Sequence, residues 1–147
     1  MLAPLVLGAT LLAATVALHA IGTSWWVNRL RALRDAPRPV KPMTVLLRTA
    51  WVLFGLHLMQ VLAWAMTYRL LPIAEVRTLE EAVYFSLVTF TTLGYGDIAI
   101  ASHWRLLAGI EALNGIVLLG WSTALSFAVV QRLLQDDPPS PDDGGQG

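Results

Sequence analysis

The chain has 147 residues, of which 56 % are hydrophobic and 14 % are charged, and this composition excludes an ordinary soluble domain and indicates a membrane protein. Ten basic and ten acidic residues give a formal net charge of zero. There is no cysteine, which excludes a disulfide framework and a thiolate metal site.

Three apolar segments are long enough to cross a membrane, because a helix of ~20 residues spans a hydrocarbon core of about 30 Å. They are residues 2–26, 43–68 and 104–131. A fourth apolar segment, residues 79–90, is too short to span and fits a re-entrant helix. The sequence therefore predicts an all-α membrane protein with three transmembrane helices and one re-entrant helix.

The first segment, residues 1–26, is predicted to be an N-terminal transmembrane helix, and residues 27–42 a basic loop whose prolines break any helix. Five basic residues crowd this loop against a single acid, Asp35; they are Arg29, Arg31, Arg34, Arg38 and Lys41. Short loops rich in Lys and Arg face the cytoplasm. We therefore expect a multi-pass protein of the cell (inner) membrane, with its N-terminus outside and its C-terminus in the cytoplasm.

An alternative for residues 1–22 is a secretory signal peptide, because this stretch is apolar and contains Ala-Leu-His-Ala ending at Ala20. Signal peptides begin with a basic region, whereas the first Lys or Arg of this chain is Arg29. We expect the first helix to be retained.

The re-entrant segment carries a helix start signal. Thr78, followed three residues later by Glu81, makes a capping box that predicts a helix beginning at Leu79. This helix would end near Thr91, so the negative end of its dipole would be directed toward the residues that follow.

Residues 91–97 read Thr-Thr-Leu-Gly-Tyr-Gly-Asp and form the most specific pattern in the chain. A dehydrated cation needs oxygen ligands, and successive backbone carbonyls face one way only where left- and right-handed dihedrals alternate. Glycine adopts φ > 0 at little steric cost, so Gly94 and Gly96 are expected at left-handed positions. The hydroxyl of Thr92 adds a further oxygen. The alternative is a tight turn between two helices.

This segment resembles the pore signature Thr-Val-Gly-Tyr-Gly of the tetrameric potassium channels, and residues 43–134 resemble the two-helix ion channel pore module of that family. The resemblance implies a homotetramer in a lipid bilayer, with K⁺ bound by Thr92, Leu93, Gly94 and Tyr95 in a selectivity filter that ends at Gly96. It also implies filter support from Thr91, Asp97, Tyr84 and Phe85. Apart from permeant K⁺ we expect no cofactor, and we expect no nucleic-acid partner.

Three positions depart from the family pattern. Leu93 replaces the commoner valine, and Val88 stands where some relatives carry a carboxylate. Tyr84 can donate its hydroxyl to Asp97, whereas Phe85 has no polar atom to offer. We therefore expect few side-chain hydrogen bonds behind the filter, with simple burial as the alternative role for the two aromatic residues.

The third span carries small and polar residues along one face, which indicates either close helix packing or a pore-lining face. Gly115 and Gly120 are candidate hinge residues. Asn114 is expected in the upper cavity, with packing against a neighbouring helix as the alternative. Glu111 is expected to form a hydrogen bond to the re-entrant helix, residues 79–90.

The remaining polar residues indicate no enzyme. His19 and His57 lie on separate spans without a partner pattern, and we interpret them as packing or interfacial residues. No Ser-His-Asp set, paired acids or metal-ligand spacing is present. Residues 135–147 are rich in Asp, Pro and Gly and are predicted to be a disordered acidic tail.

Together these features predict a potassium-selective ion channel subunit that conducts K⁺ passively across the membrane. One alternative is a non-selective cation channel of the same architecture, against which Tyr95 argues. A second is a non-conducting membrane subunit or sensor. A potassium transporter is less favoured, since such chains carry four degenerate pore segments where this chain has one full signature.

Overall fold

A computed structural model describes residues 2–34 and 40–135 of the chain, and within these ranges it consists of four α-helices and no strand. The helices are α1 (Leu2–Arg34), α2 (Pro42–Leu70), α3 (Leu79–Phe90) and α4 (Arg105–Gln135). By length and composition α1, α2 and α4 can each cross a membrane. The predicted all-α membrane fold is therefore confirmed. Residues 136–147 of the predicted acidic tail lie outside the described residues.

Helix α1 continues past the end that the sequence predicted. It runs to Arg34, whereas residues 27–42 were predicted to be a loop. The physical reason is that residues 27–34 contain no proline or glycine and are rich in leucine, arginine and alanine, which favour helix. The first proline of the basic segment is Pro37, which lies outside the described residues. The basic segment therefore begins as an extension of α1.

The ends of α2 and the start of α3 follow local signals. Lys41 caps α2 in an extended conformation, and Pro42 occupies the start of the helix, where its missing N–H costs nothing. Before α3, the Thr78 hydroxyl accepts from the Glu81 amide at 3.1 Å, and the Glu81 carboxylate accepts from the Thr78 amide at 2.9 Å. The predicted capping box and the helix over residues 79–90 are both confirmed.

Helix α3 lies between α2 and α4 and shares a hydrophobic core with them. The core residues come from α2, α3, α4 and the two loops that flank α3; they are Val61, Trp64, Ala65, Tyr68, Ile73, Val76, Ala82, Phe85, Phe90, Ile100, Leu107 and Leu118. Because α3 is too short to span a membrane, this core is what holds its C-terminal end inside the bundle.

Helix α1 packs against α4 and α2, and two glycines permit the close approach. A Cβ atom on Gly8 would meet the side chain of Ile110 in α4, and one on Gly22 would meet Leu56 in α2. Small residues at such crossings are typical of helices that pack within membranes. Toward the end of α1, the indole N–H of Trp26 donates to the Thr49 hydroxyl of α2 at 3.0 Å, and both side chains are buried.

Four polar side chains from three helices meet inside the bundle. They are His19 on α1, His57 and Gln60 on α2, and Ser122 on α4. The side-chain amide of Gln60 lies 3.0 Å from His19 Nδ1 through its nitrogen and 3.2 Å from His57 Nδ1 through its oxygen. Ser122 Oγ lies 2.9 Å from His57 Nε2 and 3.3 Å from His19 Nε2. We call this closed set of four contacts the His–Gln–Ser ring.

One arrangement of protons satisfies all four contacts with both imidazoles neutral. The Gln60 amide donates to His19 Nδ1, and His19 Nε2–H donates to Ser122. The Ser122 hydroxyl then donates to His57 Nε2, and His57 Nδ1–H donates to the Gln60 oxygen. The reverse direction would turn that oxygen toward the Thr15 carbonyl, which lies 3.5 Å from Gln60 Nε2. The Thr15 carbonyl thus sets the direction of the ring.

The interpretation of His19 and His57 as packing residues agrees with their place between the helices, but the view that they sit singly, without partners, was wrong. Their ring centroids are 5.3 Å apart, and each contacts both Gln60 and Ser122. The two histidines lie 38 residues apart on helices whose mutual orientation no local pattern fixes. Their role is to link α1 to α2 and α4.

We predict that Ser122→Ala destabilises the folded protein by about 1–2 kcal/mol, because both Nε2 atoms then lose their partner and interhelical hydrogen bonds in membranes are of this order. Thermal unfolding of the purified protein in detergent measures the change. Ser126→Ala is the matched control, since the Ser126 hydroxyl bonds only to the Ser122 carbonyl within α4. Equal stability of the two variants would contradict the role of the ring.

Candidate functional site

Residues 91–97 follow α3 directly, and their first part is bonded back onto that helix. The amides of Leu93 and Gly94 both donate to the Val88 carbonyl, at 3.0 and 3.3 Å. The Thr92 amide donates to the Thr89 carbonyl at 2.9 Å. The backbone conformation at the start of the segment is therefore fixed by hydrogen bonds to the last turn of α3.

The backbone of this segment alternates in handedness. Thr92, Gly94 and Gly96 have φ values of 59°, 55° and 81°, whereas Leu93 and Tyr95 between them do not have positive φ. The left-handed conformations at Gly94 and Gly96 confirm the prediction made from glycine's freedom. An extended strand would send successive carbonyls to opposite sides, and the observed alternation is the pattern that directs them to one side.

Thr92 is the one residue other than glycine with positive φ in the described part of the chain. A threonine in this region costs on the order of 1–3 kcal/mol, and it persists only where the surroundings over-determine it. The bonds of Thr92, Leu93 and Gly94 onto α3 supply that constraint. Left-handed backbone thus recurs at every second residue from Thr92 to Gly96, and sequence reasoning had assigned it only to the glycines.

Residues 91–97 are exposed in the single chain. The large side chains of Leu93 and Tyr95 are 57 % and 68 % exposed. Nothing within the described part of the chain covers this surface. The shape of the segment is therefore complete within one chain, but its surroundings are not.

Asp97 at the end of the segment is bound to α3 by a side-chain hydrogen bond. The Tyr84 hydroxyl donates to Asp97 Oδ2 at 2.7 Å, as the sequence predicted. This bond, together with the backbone amides of Asp97 and Ile98, lowers the pKa of the Asp97 carboxyl, and it raises the pKa of the Tyr84 phenol. Asp97 therefore presents a negative charge at the C-terminal end of the segment.

Phe85 faces the hydrophobic core, whereas Tyr84 faces Asp97. It is only 7 % exposed and packs edge-on against Tyr68 of α2, with ring centroids 5.0 Å apart. This is the burial role that the sequence analysis gave as the alternative to bracing the filter. Of the two aromatic residues predicted to support the segment, Tyr84 bonds to it and Phe85 anchors α3 in the core.

Glu111 of α4 is fully buried behind α3, and the predicted hydrogen bond to that helix is confirmed. Ser86 Oγ lies 2.5 Å from Glu111 Oε1 and 2.9 Å from the Val61 carbonyl of α2. A hydroxyl has a single proton, and the carbonyl can only accept. The Ser86 hydroxyl therefore either shares its proton between the two oxygens or donates it to Val61 and accepts a proton from a neutral Glu111.

Two more polar groups are buried beside this contact without a hydrogen-bond partner. They are Glu111 Oε2 and the Tyr68 hydroxyl, whose side chains neighbour each other. The Trp64 indole N–H is likewise buried and without a partner. A cluster of buried polar groups therefore lies where α2, α3 and α4 meet, and Glu111 supplies its carboxyl group from α4.

Asn114 does not lie where the sequence predicted. It is fully buried, and its side-chain amide donates to the Thr15 hydroxyl of α1 at 2.8 Å. The expected place in the upper cavity is therefore corrected to the alternative, packing against a neighbouring helix. The prediction failed because the sequence does not show which face of α4 the first helix covers.

The two candidate hinge glycines of α4 have different surroundings. A Cβ on Gly115 would overlap the carbonyl oxygen of Phe90, the last residue of α3, so this glycine permits close contact between the two helices. A Cβ on Gly120 would meet nothing within 4 Å. Gly115 is thus required by packing, whereas Gly120 is not constrained by any neighbour in the single chain.

Sequence reasoning missed Ser86, Gln60 and Thr15 as partners in these contacts. Each is a polar residue within an apolar helix, and that is a recognisable signal. Their partners could not be predicted from the sequence, because Ser86 and Glu111 are 25 residues apart, and Thr15 and Asn114 are 99 residues apart.

Comparison with known families gives one match. A family model described as "Ion channel" matches residues 56–132, which is more than half of the chain. The matched region begins within α2, contains α3 and all of residues 91–97, and ends within α4, so that α1 lies outside it. No curated protein matches the chain.

We predict that Tyr84→Phe raises the pKa of Asp97 toward its ordinary range, because the hydroxyl bond is the first cause of the lowered value. The sign follows from linkage: a depressed carboxyl pKa contributes stability above its unfolded value, and that contribution is lost as the pH falls through the folded value. Titration of the Asp97 carboxyl carbon by NMR measures the shift. Tyr95→Phe is the control, and an unchanged Asp97 pKa in Tyr84→Phe would refute the bond.

We predict that Gly115→Ala destabilises the fold by at least about 2 kcal/mol, because its methyl group would collide with backbone rather than with a flexible side chain. Gly120→Ala should leave stability unchanged or raise it by up to about 1 kcal/mol, as expected for alanine in an open helical position. Thermal unfolding of both variants tests the contrast. Similar stabilities would show that α4 does not approach α3 as closely as described.

Proposed function

The chain belongs to the ion channel family, and we propose that it is a potassium-selective channel subunit whose selectivity filter is the backbone of residues 92–96. The observation that supports this most is the left-handed backbone at Thr92, Gly94 and Gly96 directly after α3. Carbonyl groups directed to one side can replace the hydration shell of K⁺. A tight turn between two helices does not need this repeated alternation.

Each filter residue has a part in this proposal. The carbonyls of Thr92, Leu93, Gly94 and Tyr95 are the K⁺ ligands, and the Thr92 hydroxyl adds the ligand nearest α3. The C-terminal end of α3 carries the negative end of the helix dipole, which favours a cation beside it. Asp97, held ionised by Tyr84, attracts cations to the opposite end of the filter.

The proposed assembly is a homotetramer. One chain carries one filter segment and supplies oxygen ligands from one side only, whereas a dehydrated K⁺ needs them all around. The exposure of Leu93 and Tyr95 supports this assembly, because neighbouring copies would cover both side chains. Four copies of this single segment make the ring that a filter requires.

The proposed orientation places the ends of α1 and α4 and the start of α2 in the cytoplasm of a cell whose inner membrane holds the channel. The basic residues of α1 beyond Trp26 and of the following segment support this placement. The packing of α1 against α2 and α4 supports a first helix that is retained and not removed as a signal peptide. The filter then lies toward the outer side.

We predict that the purified protein in liposomes passes K⁺ at least about tenfold faster than Na⁺, a difference of ~1.4 kcal/mol in barrier height. Tyr95→Asp should bring the two rates close together, because the aromatic side chain that supports the carbonyl ring is lost. Flux driven by K⁺ or Na⁺ gradients measures both rates. Tyr95→Phe, which keeps the aromatic side chain, is the matched control.

The same assay separates the alternatives. Equal K⁺ and Na⁺ flux through the unmodified protein would indicate a non-selective cation channel. No flux of either ion through a correctly assembled tetramer would indicate a non-conducting subunit. Either result would contradict the proposed function.

We also predict that single cysteines introduced at Arg34 and Thr78 react with a membrane-impermeant thiol reagent from opposite faces, with Thr78→Cys labelled from outside intact cells. The chain has no cysteine of its own, so each label is unique. Labelling of Arg34→Cys from outside would overturn the proposed orientation, and the unmodified chain is the control.

A further inference from the structure

A cavity of about 710 Å³ lies between α1, α2 and α4, at the end of the bundle away from residues 91–97. Its walls come from the last turns of α1, the first turns of α2 and the last turns of α4. They are mainly apolar, with Leu30, Val45, Leu125 and Val129 among them. The cavity is within the size range of about 300–1,000 Å³ that is typical of ligand sites.

Two arginines also line this cavity. Arg31 extends from α1 and Arg132 from α4, so the two guanidinium groups come from helices on different sides of it. No acidic residue of the described part of the chain lines it with them. The occupant must therefore suit an apolar wall and two positive charges together.

These two properties determine the class of ligand. A free inorganic anion would leave the apolar walls in contact with water, and an uncharged hydrocarbon would leave the two positive charges of the cavity without an opposite charge from the ligand. Guanidinium groups bind phosphate through paired hydrogen bonds, and basic pockets between transmembrane helices near the membrane surface bind anionic lipid head groups. The cavity lies at the ends of the three long helices, beside the basic residues that the proposed orientation places at the cytoplasmic membrane surface.

We infer that this cavity is a binding site for an anionic phospholipid, with its phosphate between Arg31 and Arg132 and an acyl chain against the apolar walls. The site depends on α1, which lies outside the region that matches the ion channel family. A lipid bound there connects α1 to the end of α4. The inference requires the chain to lie in a membrane but does not depend on which ion it conducts.

Native mass spectrometry of the full-length protein in detergent tests the site, with phosphatidylglycerol and phosphatidylcholine of identical acyl chains as the probes. The unmodified protein should retain phosphatidylglycerol more tightly than phosphatidylcholine. The double variant Arg31→Gln with Arg132→Gln should bind phosphatidylglycerol roughly thirtyfold more weakly, as expected for two basic residues at a membrane surface. Replacing both arginines by lysine should give an intermediate affinity, because the charges remain but the paired hydrogen bonds of the guanidinium groups are lost.

Two further variants make the test specific. Arg29→Gln removes a charge from the same helix but not from the cavity lining, and it should bind phosphatidylglycerol like the unmodified protein. Ala128→Trp fills the cavity without touching a charge, and it should weaken binding of both lipids. If the double arginine variant fails to fold, Ala128→Trp still tests whether lipid binds in the cavity.

Three results would overturn the inference. Equal retention of the two lipids by the unmodified protein would show that the arginines do not select the head group. A loss in Arg29→Gln as large as in the double variant would show attraction by general surface charge. Unchanged binding in Ala128→Trp would place the acyl chain elsewhere.

Discussion

The interior of a bilayer offers no water to a buried polar group, so a hydrogen bond to another helix is the main way to stabilise a polar side chain inside the bundle. This constraint fixes how the helices meet. The His–Gln–Ser ring joins α1, α2 and α4, Asn114 bonds to Thr15 of α1, and Glu111 meets Ser86 of α3. Apolar packing alone would permit many rotations of smooth helices, whereas each of these contacts is satisfied at one rotation. The polar contacts therefore specify the arrangement that the hydrophobic surfaces only favour.

Helix α4 is the element through which these contacts are connected. Glu111 faces α3, Asn114 faces α1, and Gly115 brings the α4 backbone against the last carbonyl of α3, all within little more than one helical turn. Helix α1 therefore reaches α3 through α4, since α1 has no direct contact with α3. A shift of α1 against α4 would be transmitted by the α4 backbone at Gly115 to Phe90, which directly precedes residues 91–97.

The sequence predicted best where structure depends on near neighbours along the chain. The capping box of Thr78 and Glu81 specified the start of α3, and the glycines specified left-handed backbone within residues 91–97. Predictions failed where the deciding partner lies on another helix: the place of Asn114 depends on where α1 docks, and the pairing of the histidines depends on the rotation of two spans. The left-handed backbone of Thr92 was not predicted for a different reason. Threonine disfavours this conformation, and the hydrogen bonds onto α3 impose it.

The bonds of residues 92–94 onto α3 also determine at which stage of assembly these residues become ordered. Every backbone bond made by Thr92, Leu93 and Gly94 runs to a carbonyl of the same chain, and Asp97 is held by Tyr84 of the same chain. The conformational entropy of this segment is therefore lost as each chain folds, before any copies associate. In the proposed tetramer, each chain therefore brings a segment that is already ordered. The free energy of association then reflects the packing of the subunit surfaces and contains no further cost for ordering these residues.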